Sequence, residues 1–596
     1  MKRPSDLRKI LEILGPARRR LPVVMLVALV DAVMAGLGIG LILPVFQALM
    51  DPQTDNALFR HLGLLADAVG VERVLPFLAG LTVVVFAVKG LAGVARAALV
   101  RNFAESMRRT WIEQIGRAYM MGPYTWTASQ KHGELLNVWV QETQSGSRFL
   151  QSYLTYWTQT LQVLALIAVG MIANWQAMLG LLAGAMVILL TLRRSAFNWA
   201  TNLGERKLTL YQRMTREMSE TLTNLRDLKL LTIEPVWLAR IATDAERLRS
   251  HFVRVAILAQ LPNGVGEFLG VTALMAFVVI GVSVMGMDPQ TLVPFLAFFL
   301  VTFYRIITAG SQAMTARMKA LHELRGLEEV HRMANHAVRL EDRESGLPVQ
   351  RLETDLVVEG LSFQYGEGSP ILSGLDLVIP RGRVTFIIGP SGSGKSTLLD
   401  LFMRLYRPAT GRITANGRDI EEYNLIDWRR LFGYVSQDAA LFNGTIRENL
   451  LRGAPDASAE EMENACRLSG AQEFIEGLPQ GYDTPVGDRG FAVSGGQRKR
   501  IAIARAMMRR PEVLILDEAT TSFEESMERT MIADLRKARQ DLTVIQITHR
   551  LQTAPSADNV IVLSQGRVAA QGPWSAIAED VGALALAEPE QQERPS

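Results

Sequence analysis

Residues 491–506 read FAVSGGQRKRIAIARA. The run Ser494-Gly495-Gly496-Gln497 is polar and free of bulky side chains, and the residues behind it carry helical apolar spacing. A helix that starts there points its first backbone amides outward, where negative charge is stabilised. A second phosphate-binding signal stands upstream at 384–396, VTFIIGPSGSGKS, so one chain carries two candidate half-sites for an anion.

The upstream signal has the context that a phosphate loop needs. A short β-branched strand runs into Gly389-x-x-x-x-Gly394-Lys395-Ser396, and LLDLFMRL then begins a helix. Gly389, Gly392 and Gly394 permit the curvature that turns successive amides inward, with Pro390, Ser391, Ser393 and Thr397 completing the loop. Lys395 can reach the outer phosphates, and Ser396 can offer a hydroxyl to Mg²⁺. Further on, PEVLILDEAT places an apolar strand, Val513 to Leu516, before Asp517 and Glu518. Paired acids at a strand end divide labour: Asp517 suits the metal, and Glu518 can polarise an attacking water. The strand TVIQIT (543–548) delivers His549 to the same edge, and Gln437 follows the strand-like FGYVS. Tyr365, in LSFQYGEGSP, can stack on a base. Each of these has an ordinary reading as well: solvated acids at a strand end, a structural histidine, a glutamine or tyrosine in a turn. It is their joint order that gives them weight.

The chain has 596 residues, 48% of them hydrophobic, and a net charge of +3, which gives no electrostatic reason to expect a nucleic-acid partner. Its single cysteine, Cys466, forms no intrachain disulfide, as suits a membrane-embedded chain or a reducing cytosol. Apolar runs near 21–48, 75–99, 152–173, 177–192, 256–286 and 290–310 are the candidates to cross the hydrocarbon layer. Basic residues gather before the first run and within 101–150 and 193–255, whereas the 51–73 and 287–289 connections are acidic. That alternation predicts six spans in a plasma (inner) membrane with both termini and the nucleotide domain in the cytoplasm. The long basic connections read as helical extensions of the spans, with cross-turns near 123–134 and 222–237. Leu7, Ile10, Leu11 and Leu14 share a face among basic residues, which predicts an interfacial helix along the inner leaflet. The expected fold is an α-helical six-span membrane domain fused to an α/β P-loop NTPase. Its parts are an interfacial elbow helix at 1–20, the membrane domain at 21–320, a linker at 321–352, the nucleotide domain at 353–580 and a tail at 581–596.

Taken together, GPSGSGKST (389–397), YVSQD (434–438), GDRGFAVSGGQRKR (487–500), LILDEAT (514–520) and THR (548–550) resemble, in family order, the nucleotide-binding domain of ABC transporters. Residues 1–350 resemble the six-helix membrane domain of ABC exporters. The resemblance implies ATP and Mg²⁺ as cofactors, and a dimer in which Ser494, Gly495, Gly496 and Gln497 of one chain cap the γ-phosphate held by the other chain's phosphate loop. It implies that Gln437 and His549 sense the γ-phosphate, that Ser396, Gln437 and Asp517 stand around the metal, and that Glu518 is the catalytic acid. The cross-turns resemble the helices that couple nucleotide state to the spans. With one nucleotide domain the chain must pair, most simply with itself, although another half-transporter is an alternative partner. There are departures. Val493 stands for the usual leucine, Asp488 for a common glutamate, and Thr521-Ser522-Phe523-Glu524 for the SALD-like stretch along the subunit interface.

Ionisable residues inside spans cost about 2.5–3.5 kcal/mol at mid-bilayer, so Asp31, Lys89, Arg96, Glu267 and Arg305 are candidate substrate contacts. The competing readings are that they pair with one another or lie in cytoplasmic extensions. The run GLGIGLILPVF (36–46) resembles lipid-linked oligosaccharide flippases. The expected function is an ATP-driven exporter or flippase of an amphipathic substrate, such as a lipid-linked glycan, among membrane lipids. The rivals are a multidrug or peptide exporter and an ATP-gated channel or regulatory subunit. An intact Glu518 disfavours the last.

Overall fold

The protein, seen here as a computed structural model, is described at residues 13, 15–50, 74–175, 178–179, 209–211, 213–283, 289–336, 345–366, 368–487, 493–520, 523–549 and 551–579. It divides into two compact units, Met1–Gly122 with Trp126–Leu340, and Pro123–Thr125 with Glu341–Ser596.

The first unit is helical. Gly15–Arg20 form a 3-10 helix that leads into helix α1 (Leu21–Gly40) and α2 (Ile42–Met50). The rest of the expected elbow helix lies outside the described residues, as do the fourth apolar run apart from Met178 and Leu179, the 51–73 connection and the tail from 580. The first run was expected to be continuous, but a turn at Leu41 divides it. Pro44 has no N–H to return to the Gly40 carbonyl, so the hydrogen-bond ladder lapses there. Helix α3 (Val74–Met121) has 48 residues, about 72 Å at 1.5 Å each, and greatly overshoots the hydrocarbon layer. Short helices α4 (Tyr124–Ser129) and α5 (His132–Asn137) follow, then a single π-turn at Val138–Glu142 and helix α6 (Thr143–Ala173). Beyond the undescribed stretch lie α7 (Leu225–Leu230), α8 (Glu234–Ser283) and α9 (Pro289–His336). Both expected cross-turns therefore contain a six-residue helix, α4 and α7. Among the described residues, three helical stretches, Arg18–Gln47, Leu75–Met121 and Gly133–Ala173, are long and apolar enough to cross a membrane.

The expected linker begins too early. Residues 321–336 are the last turns of α9, because Leu327, Val330 and Met333 pack into a core with Phe103, Trp111, Ile115 and Phe149. Residues 345–352 already belong to the second unit, where Leu352 is buried and Leu347 bridges to Tyr423.

The second unit sets two sheets around apolar cores. Strands β1 (Leu356–Phe363), β2 (Leu372–Ile379), β4 (Thr410–Ala415) and β5 (Arg418–Asp419) form a sheet in the order β2-β1-β4-β5. Strands β3 (Val384–Ile388), β6 (Phe432–Val435), β7 (Val513–Asp517), β8 (Thr543–Ile547), β9 (Asn559–Ser564) and β10 (Arg567–Gly572) form the other, in the order β10-β9-β3-β8-β7-β6. Its central strands are parallel and fully buried, as continuous runs such as VLILD and VTFII require. Helix α10 (Lys395–Phe402) follows β3, and α11 (Gly495–Met508) precedes β7.

Helices α6 and α9 approach closely where Gly326 faces Ser145. A β-carbon at Gly326 would stand 2.6 Å from that of Ser145, and closer still to the Glu142 carboxylate. Gly326→Val should therefore force the helices apart and destabilise the first unit by about 1–3 kcal/mol. Thermal unfolding of the purified protein in detergent would register this as a lower midpoint; an unchanged midpoint would mean that the helices accommodate the side chain.

Candidate ATP site and membrane cavity

The phosphate loop begins where β3 leaves the sheet. At Gly389 an added β-carbon would overlap the Leu563 carbonyl oxygen, so only glycine fits. Gly392, at the middle of the loop, is required for a different reason. Its surroundings are open, yet its φ of +81° lies in the left-handed region that a β-carbon disfavours. Gly394 has φ +97° and begins α10, where a side chain would collide with Leu372. The three glycines expected to curve the loop, Gly389, Gly392 and Gly394, thus all take positive φ. Lys395 folds back over the loop and donates to the carbonyls of Gly389 at 2.8 Å and Pro390 at 2.7 Å. Burial holds its ammonium below the usual lysine range, against the opposing pull of Glu518 and Asp517. The loop therefore carries a positive charge that its own carbonyls hold in place, where it would attract a phosphate.

Asp517 ends β7 with its carboxylate bonded to the Ser396 hydroxyl and, at 3.3 Å, to the Tyr434 hydroxyl. Burial pushes its carboxyl above the usual aspartate range. Burial, and then the Asp517 charge, also push Asp400 up to about 6. A hydroxyl and a carboxylate already in contact are hard oxygen donors of the kind Mg²⁺ takes, so the two residues fit that ion.

Glu518 stands one residue past the strand. Its Oε2 accepts from Gln437 Nε2 at 2.8 Å, and its Oε1 lies 2.7 Å from His549 Nε2. Residues following β6, β7 and β8 thus meet at one carboxylate. Tyr365 is half exposed, 41% of its surface open, yet fixed: its hydroxyl lies 3.2 Å from Thr397 Oγ1, and its ring meets Tyr406 edge-on at 5.0 Å. Tyr406, Tyr434 and Asp400 were not among the residues expected from sequence.

At the start of α11, Ser494 and Gln497 form a capping box. The Ser494 hydroxyl accepts from the Gln497 N–H at 3.3 Å, and Gln497 Oε1 accepts from the Ser494 N–H at 2.9 Å. Two members of the quartet therefore serve each other, and helix geometry leaves the Gly495 and Gly496 amides at the open start. Among the described residues, no hydrogen bond of Ser494–Gln497 reaches the phosphate loop of the same chain. Asp488, Thr521 and Ser522 lie outside the described residues. Glu524 precedes the helix Glu525–Ala538 without capping it through its side chain.

In the first unit, Asp31, Lys89, Arg96 and Arg305 line one cavity of about 440 Å³, together with Gln159 and Gln312. Asp31 is 6% exposed and pairs with Arg96 at 3.5 Å, while Arg96 also donates to Thr158 at 3.2 Å. Pairing, one of the competing readings, thus holds for Asp31 and Arg96, which border the same cavity as Lys89 and Arg305. Glu267 lies on α8, and its side chain is outside the description.

Known proteins share both halves of this architecture. Residues 23–306 match the ABC transporter transmembrane region, and residues 372–521 match the ABC transporter ATP-binding family. The chain is 33% identical to an uncharacterised ABC transporter ATP-binding protein of Sinorhizobium fredii, over 69% of this chain and 72% of that one. It is 32% identical to an ATP-dependent lipid A-core flippase of Cupriavidus pinatubonensis, over 74% of each chain. A bacterial Atm1-family ABC exporter with ATP bound superimposes with a TM-score of 0.77 at 25% identity, over 97% of this chain and 100% of that one.

If the Tyr365 ring stacks on a base, Tyr365→Ala should raise the KM for ATP about tenfold, within the 1–3 kcal/mol typical of base–aromatic stacking. Tyr365→Phe, which loses only the bond to Thr397, should change it less than about twofold. Steady-state ATPase titrations distinguish the two; an unaltered KM in Tyr365→Ala would remove the ring from the base site.

Proposed function

The chain belongs to the ABC transporter family as a half-exporter, an integral membrane protein that couples ATP hydrolysis to export or flipping, and on that premise we propose that its cargo is an amphipathic molecule with an anionic headgroup, such as a lipid or lipid-linked glycan. The observation that carries this reading is the cavity in the helical unit, where, among the described residues, three cations face one carboxylate. Asp31 answers Arg96, and among the described residues no second carboxylate lines the cavity beside Lys89 and Arg305. In a low-dielectric surrounding two such cations stabilise an anion strongly, and the amides of Gln159 and Gln312 suit a polar headgroup. A relative is named for flipping lipid A-core, a cargo of this general kind.

The ATP site works in two copies of the chain. Each phosphate loop holds the triphosphate by Lys395 and the backbone N–H groups of the loop other than at Pro390, while Tyr365 carries the base. The partner's Gly495 and Gly496 amides close the far side of the γ-phosphate, as the family resemblance implies. Glu518 polarises the attacking water, and Gln437 and His549 turn from its carboxylate to the γ-phosphate. Ser396, Asp517 and Gln437 would hold Mg²⁺, and the ion would supply positive charge that stabilises the leaving phosphates. Loss of the γ-phosphate removes what the two halves share, and the pair loosens. The nucleotide units and both termini face the cytoplasm of a plasma (inner) membrane, and the partner is a second copy of the chain.

Glu518→Gln should retain ATP binding, lower turnover by at least about a hundredfold and trap a closed dimer, readable by size-exclusion chromatography with bound nucleotide. Substantial residual turnover would remove Glu518 from the role of base. For the cargo, proteoliposomes of anionic, zwitterionic and cationic amphiphiles offer a direct comparison: ATPase stimulation and flipping should favour the anionic lipid. Arg305→Ala should reduce its transport about tenfold, a loss of about 1.4 kcal/mol. Equal handling of all three charge classes, or unchanged transport in Arg305→Ala, would overturn the cargo assignment.

A further inference from the structure

Glu518 has φ +49°, in the left-handed region that a residue with a β-carbon avoids. Such a conformation costs about 1–3 kcal/mol and persists only where its surroundings enforce it. Two bonds enforce it here. The Glu518 N–H donates to the Ile547 carbonyl on β8 at 3.3 Å, and the Glu518 carbonyl accepts from Lys499 Nζ at 2.9 Å. The first fixes the peptide plane before the residue and the second the plane after it. With both planes held, the direction of the side chain is set, and the carboxylate arrives where Gln437 and His549 flank it.

Lys499 comes from α11, the helix that opens with Ser494-Gly495-Gly496-Gln497. A charged donor makes roughly twice the contribution of a neutral one, so this bond is the stronger of the two holding the Glu518 backbone. We propose that Lys499 is a positioning residue for ATP hydrolysis, aiming the Glu518 carboxylate through its grip on the Glu518 carbonyl. The proposal rests on Glu518 being the hydrolytic base. Lys499 itself touches neither nucleotide nor water in this role; it acts through the backbone of Glu518.

The test uses the full-length protein in lipid nanodiscs, with ATPase rates measured across ATP concentrations. Lys499→Met keeps the length of the side chain and removes the donor, so kcat should fall tenfold or more while the KM for ATP stays within twofold. Lys499→Arg restores a charged donor and should recover at least a third of the wild-type kcat. The thermal unfolding midpoint should match wild type in both variants. A Lys499→Met protein that turns over within twofold of wild type would overturn the proposal. So would a loss of kcat that tracks a lower unfolding midpoint and is not rescued by arginine, since that is a packing defect. Glu518→Gln measured alongside separates the premises: if it hydrolyses ATP, the base assignment fails; if it is inert while Lys499→Met runs at full speed, only the role of Lys499 fails.

Discussion

Neighbouring parallel strands lie about 4.8 Å apart, and that spacing governs the chemistry of the second unit. Strands β6, β7 and β8 are hydrogen-bonded in that order, so their carboxyl ends finish side by side. Gln437, Glu518 and His549 each follow one of those ends, so Gln437 and His549 stand 2.8 and 2.7 Å from the Glu518 carboxylate. No loop flexibility is needed to bring them together; the sheet's register does it. In open parallel sheets this edge is where ligands bind, because every strand delivers its next residue there. The left-handed backbone at Glu518 and the clamps on it are the local consequence of turning a carboxylate back over that edge.

The nucleotide site was legible in the sequence because its parts are short-range. A phosphate loop, a strand ending in two acids and a helix start are each fixed by fewer than about ten consecutive residues, and turn chemistry identifies them directly. The supports around them were not legible, since they depend on contacts between distant segments. Lys499 reaches the Glu518 carbonyl, and Tyr406 meets Tyr365, only after the sheets are assembled. The capping box shows a subtler limit. A serine followed three residues later by glutamine is a helix-start signature in its own right, and that is the role the structure shows for Ser494 and Gln497.

The helical unit was legible by period and length, less so at its joints. A single proline at 44 breaks the first apolar run at Leu41, and a buried face carries α9 to His336, well into the stretch expected as a linker. Apolarity finds a span but does not find where its helix ends; packing decides that. The charged residues within the spans had no sequence rule to group them. Asp31 and Arg305 are far apart along the chain, yet helix packing places both on one cavity with Lys89 and Arg96.

That cavity and the ATP site obey the same electrostatic logic in different solvents. A lone charge in a low-dielectric setting is costly, and a partner removes most of that cost. At the phosphate loop, the Lys395 ammonium rests on neutral carbonyls. In the cavity, among the described residues, Asp31 pairs with Arg96, and Lys89 and Arg305 also line the wall. Both places hold cations among the described residues that an anionic ligand would stabilise. On the proposed function, a triphosphate binds at the first and an anionic headgroup at the second. Coupling between them has a physical basis once each ligand binds one conformation better than the other, because differential affinity is the sole means by which either can shift the equilibrium the other reads.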